Sequence, residues 1–290
     1  MTNSRKGALL VLVAGASWGV ISLFIRALGD AGLSPIDISS FRSICTALVL
    51  LASVSVYDRG AFKVKLKDLW CMAGCGVISI TFFNALYFAT IQMTTVNIAV
   101  VLLYTSPVFV TVMACIFFRE RFTLRKLIAL LLVLVGCALV SGAFTSGKEA
   151  PLSGKVLLTG IGAGFLYSLY SIFGRCARNR GYNSSTITLW VFISAGIASL
   201  FLLDFHRTYA AFSAHPTALL ALAGLVVIST ILPYVTYTEG LKYIPPSSAA
   251  IIVAIEPVVG TLVGTLLFGE PLPLPALAGM ALVLVSCILA

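Results

Sequence analysis

The sequence predicts an all-α integral membrane protein of ten transmembrane helices, arranged as two inverted five-helix repeats with both termini in the cytoplasm. Three observations carry that prediction. The 290 residues are 60% hydrophobic and only 10% charged, whereas an ordinary soluble domain is about 25% charged. Charged residues are missing from 7–25, 69–118, 127–147, 208–238 and 271–290. A bilayer core takes about 20 apolar residues per helix, so these stretches are spans. The third observation is a repeat of the chain within itself. A soluble enzyme, a disordered chain and a secreted disulfide scaffold are excluded.

Taken in order, the first span, 7–28, follows Arg5 and Lys6 as a signal peptide would. Its apolar run continues to Ile25 without a small-residue cleavage site, so it reads as an uncleaved span. The second is 36–57. The fifty-residue charge-free run then holds two spans, 68–90 and 96–118, parted by Gln92, Thr94, Thr95 and Asn97. Spans follow at 124–144, 155–175, 185–204 and 217–239. Pro245-Pro246 opens the ninth, 246–268, and Gly269, Pro271, Pro273 and Pro275 separate it from the tenth, 273–290. With the N-terminus inside, fourteen Lys and Arg fall in cytoplasmic connections and four (Arg26, Lys148, Lys155, Arg207) outside. That asymmetry sets the orientation. The net charge of +9 therefore marks topology rather than nucleic-acid binding.

At an offset near 150 the chain matches itself. Lys6, Ala14, Gly15, Ser22, Phe24 and Arg26 answer to Lys155, Ala163, Gly164, Ser171, Phe173 and Arg175, with Trp18 opposite Tyr167. Gly74, Ser79 and Tyr87 answer to Gly224, Ser229 and Tyr237; Pro107, Thr111, Phe118, Glu120 and Cys137 answer to Pro257, Thr261, Phe268, Glu270 and Cys287. The repeats are 1–145 and 153–290, joined by 146–152. Five spans per repeat is an odd number, so the second repeat enters the membrane from the opposite side. Inverted repeats of this kind characterise secondary transporters, which hold substrate near mid-bilayer between the halves.

Trp18-Gly19 in span one, Phe41-Arg42 in span two, Pro107 and Pro257 in spans four and nine, and Glu in Phe-Arg-Glu-Arg (118–121) and Phe-Gly-Glu-Pro (268–271) together resemble the paired EamA domains of the drug/metabolite transporter superfamily. The resemblance covers nearly the whole chain. It implies ten helices with cytoplasmic termini in a bacterial inner membrane, and transport of small metabolites, often amino-acid export. Glu120 departs from the pattern in lying between Arg119 and Arg121, and is expected to form an ion pair with them.

Most ionisable residues sit at span ends or in connections; the two that do not are Arg42 and Glu256. A charge at mid-bilayer costs about 2.5–3.5 kcal/mol on insertion scales, so such residues face a partner or a watery cavity. Glu256 is expected to hold a proton or an ammonium group, against the alternative of a helix-packing carboxylic acid. Arg42 is expected to bind a substrate carboxylate or to pair structurally. If both face one cavity they suit a zwitterion. Pro107 and Pro257 each free a carbonyl four residues earlier, at Leu103 and Val253, for substrate or for bending. Trp18, Asn84, Tyr87, Tyr104, Ser106, Tyr167, Tyr170, Ser171, Tyr237 and Ser248 are the remaining candidates for lining a central cavity, with helix packing as the competing role.

The seven cysteines lie in or beside apolar stretches without a Cys-x-x-Cys pair or a nearby His, and read as packing residues. His206 and His215 sit in one external connection, so neither a metal site nor a nucleophile–base pair is expected, and no cofactor. The expected function is secondary transport of a small molecule, with protons as the candidate coupling ion. An uncoupled facilitator or channel-like pore is the alternative. The oligomeric state is open.

Overall fold

The computed structural model describes residues 3–142 and 153–290, so the expected link 146–152 lies outside the described residues. These are helical throughout, without strands. The helices are α1 Asn3–Asp30, α2 Pro35–Tyr57, α3 Leu66–Met93, α4 Val96–Phe118, α5 Leu124–Val140, α6 Gly154–Asn179, α7 Ser184–Ser199, α8 Phe205–Ala214, and α9 Ala218–Gly240, α10 Pro246–Phe268 and α11 Leu274–Leu289. Seven of them, α1 to α4, α6, α9 and α10, are long and apolar enough to cross a membrane. Polar caps start several others. Ser34 and Asp37 form a capping box at α2, Thr123 caps α5, Ser153 caps α6 and Asn183 caps α7. Each satisfies backbone N–H groups that the first helical turn leaves free.

The seventh span is shorter than expected. It stops at Ser199, and the chain turns into α8, which is capped by Asp204 accepting from the Arg207 N–H at 3.0 Å. Arg207 also pairs with the buried Asp37 of α2 at 3.1 Å, fastening α8 to the bundle.

Large apolar side chains such as Leu48, Ile116, Phe117, Leu158, Leu220, Leu266 and Ile288 stand fully exposed on the outer faces. In water that surface would aggregate; in hydrocarbon it is the solvated face. Inside, α5 packs along α11 through Ala129, Leu130, Val133, Cys137, Met280 and Val283. Trp18, Tyr170, Phe192, Tyr234 and Tyr237 fill the centre.

α1 is interrupted at Val20 without a counterpart in α6, and four other departures from regular helix form two pairs about 150 residues apart. α4 breaks at Tyr104-Thr105 before Ser106-Pro107, and α10 tightens at Val253–Ile255 before Glu256-Pro257. α3 widens into a π-helix at Gly74–Phe82 and α9 at Val227–Ile231. In each, a Thr hydroxyl reaches back five residues, from Thr81 to the Gly76 carbonyl and from Thr230 to that of Leu225. α4 and α10 both end in left-handed residues, Arg119 (φ 55°) and Gly269 (φ 67°). The next N–H, of Glu120 or Glu270, closes on the carbonyl of Ala114 or Gly264 at 3.3 and 3.2 Å, the six-to-one bond of a Schellman turn. Irregular backbone at membrane depth is tolerated where it is packed in protein or lines a cavity.

Packing decides what the two proline breaks do. A Cβ on Gly15 of α1 would lie 2.8 Å from the Val253 carbonyl, and one on Gly164 of α6 would lie 3.1 Å from the Leu103 carbonyl. The carbonyls expected to be free are therefore each covered by a glycine of the equivalent helix in the other half. Bending, rather than a ligand contact, is the role this packing gives them.

Candidate functional site

A cavity of about 550 Å³ opens at one end of the bundle. Its walls come from both halves: Trp18, Ser22 and Arg26 on α1, Asn97 and Tyr104 on α4, Glu256, Thr261 and Thr265 on α10, and Ala276 on α11. Sites for small organic molecules run about 300–1,000 Å³, so the volume suits one such solute. Arg26 and Glu270 pair at its mouth and are both half-exposed, with the Arg26 guanidinium 4.2 Å above the Phe268 ring. Deeper in, the bend of α10 points Glu256 into the space. Its carboxylate has no ion-pair or hydrogen-bond partner among the described residues, and its accessible surface is that of the cavity. Tyr87, Tyr104, Tyr167 and Tyr234 are within its electrostatic reach. The Ser22 and Thr265 hydroxyls are buried and have no hydrogen-bond partner among the described residues.

Trp18 closes the floor. It also lines a second pocket of about 20 Å³, room for about one water. Ser79, Ser106, Tyr167, Tyr170, Ser171, Tyr234 and Tyr237 surround this inner pocket. Aromatic edges hold it together: Trp18 meets Tyr234 at 5.1 Å and 80°, and Tyr234 meets Tyr170 at 5.1 Å and Phe192 at 5.0 Å. Such edge-to-face pairs favour one fixed arrangement.

Beyond the inner pocket the bundle is shut by successive polar layers. Ser171 bonds the Tyr237 hydroxyl at 2.7 Å, and Tyr170 bonds Thr238 at 3.0 Å. Arg175 donates to the Leu241 and Ile244 carbonyls. Arg178 pairs with Glu239 at 3.2 Å, and Ser184 donates to the same carboxylate at 2.7 Å. Lys126 reaches Glu120 at 2.9 Å and Ser247 at 2.7 Å, and Ser247 donates to Glu120. Ser248 donates to the carbonyl of Ala290 at 2.9 Å. Glu120 thus pairs with Lys126, not with Arg119 and Arg121 as expected. In the non-helical link after α4 the flanking arginines are exposed while Glu120 turns inward.

Of the residues singled out from sequence, Trp18, Tyr104 and Glu256 line the large cavity, and Trp18, Ser106, Tyr167, Tyr170, Ser171 and Tyr237 line the inner pocket. Pro257 lines the large cavity and Pro107 sits buried at the α4 break. Besides Pro107, four lie in neither space. Asn84 bonds back to the Ile80 carbonyl at 2.7 Å, Tyr87 stacks on Phe83 at 5.8 Å, and Ser248 belongs to the closed end. Arg42 is 7% exposed, its Nε has no partner, and Tyr234 is its electrostatic neighbour. Arg42 and Glu256 therefore do not share one cavity. Tyr234, Ser79, Ser22, Asn97 and Thr265 are lining residues that sequence reasoning missed. Tyr234 was within reach, since it stands 150 residues after Asn84 and three before Tyr237.

Fold and cavity define a multi-pass helical membrane protein with a solute-sized chamber between two similar halves. The sequence matches the EamA-like transporter family over residues 5–142 and 154–290. The chain belongs to that family, within the drug/metabolite transporter superfamily, and is a membrane transporter. It is 28% identical over 287 residues to an uncharacterized transporter of Archaeoglobus fulgidus, covering 99% of this chain and 96% of that protein. It is 26% identical to the uncharacterized inner membrane transporter YicL of Salmonella typhimurium, covering 100% and 96%. One solved crystal structure superposes with a TM-score of 0.81 over 98% of this chain and 96% of its own, at 16% identity, which is a likeness of fold.

Proposed function

We propose that this chain is a secondary transporter that carries a small organic metabolite across the inner membrane by alternating access. Its ten spans form two inverted five-helix repeats with both termini cytoplasmic. The observation that carries this reading is a chamber open at one end and closed at the other by several polar layers. The paired helix irregularities support the inversion, because two halves with the same bends on opposite faces can exchange roles. On the charge count, the closed end with Glu120, Lys126 and Arg175 is cytoplasmic and the mouth at Arg26 and Glu270 faces outward. The structure is then outward-open.

The resemblance gives amino acids and related compounds as the substrate class, and export as the direction. Glu256 is the coupling group, exchanging a proton for the substrate within the chamber. Flux in proteoliposomes at controlled pH and voltage tests this. Saturable, stereoselective uptake that responds to a pH gradient in the wild type and loses that response in Glu256→Gln supports the reading. The same pH response in both removes Glu256 from coupling, and flux without saturation identifies a pore.

A further inference from the structure

We infer that the chamber selects organic cations, that is, protonated amines carrying no carboxylate of their own. The inference rests on the transporter reading of the same cavity, and among amino acids and related compounds it favours the related amines over the amino acids themselves. Among the described residues, the charged side chains lining the chamber are Arg26, Glu256 and Glu270. Arg26 and Glu270 neutralise each other at the mouth, which leaves the deep Glu256 carboxylate as the unpaired charge among them. An uncompensated carboxylate away from bulk water is costly until a proton or a cation joins it.

The surroundings fit an ammonium head. Trp18 and Tyr104 present aromatic surface to the same space, and cations are attracted to such faces. Asn97 and Thr261 add polar side chains to the lining, and their oxygens can accept from an ammonium group. A zwitterion would also need a cationic partner for its carboxylate at the same depth. Arg42, buried in α2 with Tyr234 as its electrostatic neighbour, lines neither the chamber nor the inner pocket. The inner pocket, which shares Trp18 with the chamber, holds about 20 Å³, too little for a carboxylate arm.

Three probes with a common aromatic body separate the possibilities: 2-phenylethylamine, phenylalanine and 3-phenylpropionate, each radiolabelled. Equilibrium binding to the purified full-length protein in detergent is measured at neutral pH. The expected result is saturable binding of the amine, weaker binding of the amino acid, and none of the acid. Glu256→Gln weakens amine binding by about tenfold or more, while Glu256→Asp retains it. Both variants are first checked for a monodisperse elution profile. Tighter binding of phenylalanine or 3-phenylpropionate, absence of saturable amine binding, or unchanged affinity in Glu256→Gln overturns the inference. Amine binding without flux in proteoliposomes would instead keep the cation site and refute transport. Saturable flux of another compound, without amine binding, would keep transport and refute the cation class.

Discussion

Trp18 and Tyr234 meet edge to face where the wide chamber gives way to the inner pocket, and the hydroxyl pair Ser171–Tyr237 lies just beyond. Both hydroxyls of that pair are buried, so removing one strands the other. Ser171→Ala or Tyr237→Phe alone should cost about 1–3 kcal/mol. The double variant should cost less than the two together, because neither polar group is then left unpaired. Thermal unfolding in detergent measures the cycle, and strict additivity would mean the bond contributes nothing. This scale was only partly legible in the sequence. Glu256 and Trp18 stood out because a carboxylate and a central indole in an apolar run need a reason. Arg42 stood out for the same cause, yet its burial beside Tyr234 depends on how α2 and α9 turn about their axes. Apolar residues face all round in a membrane helix, so hydropathy leaves that rotation undetermined.

Among the elements, the two helices broken at prolines, α4 and α10, both line the chamber. α4 and α10 bend at their prolines, and Gly15 and Gly164 let α1 and α6 lie directly on the bends. A methyl group at either glycine must displace backbone. Gly15→Ala and Gly164→Ala should each lower stability by about 1–3 kcal/mol through overpacking, read as a drop in melting temperature. An unchanged melting temperature for both would mean the contact gives way freely. Prolines and glycines at one constant offset made these sites visible from sequence, since each has a backbone consequence that apolar residues lack. The π-helices of α3 and α9 carried no such mark. α8 was missed because its ten residues mix His206, Arg207 and Tyr209 with small residues and read as an ordinary polar connection. What fixes α8 is the long-range pair of Arg207 with Asp37.

At the scale of the whole molecule, the two ends hold their closing groups differently. Glu120 and Lys126 are 10% and 15% exposed and share Ser247, whereas Arg26 and Glu270 are 48% and 45% exposed at an open mouth. Under the proposed alternating access, the network at the closed end holds the outward-open state and must break for the other state to form. Its loss in Glu120→Gln should shift the balance between states by about 1–3 kcal/mol, or about 5–150-fold. The direct measurement is the distance between spin-label pairs on a cysteine-free background. Arg121→Cys with Tyr243→Cys reports the closed end, and Asp30→Cys with Leu274→Cys reports the mouth. Alternating access predicts that Glu120→Gln lengthens the first distance and shortens the second together. If the closed end widens while the mouth keeps its width, the chamber becomes a continuous pore and the account is contradicted.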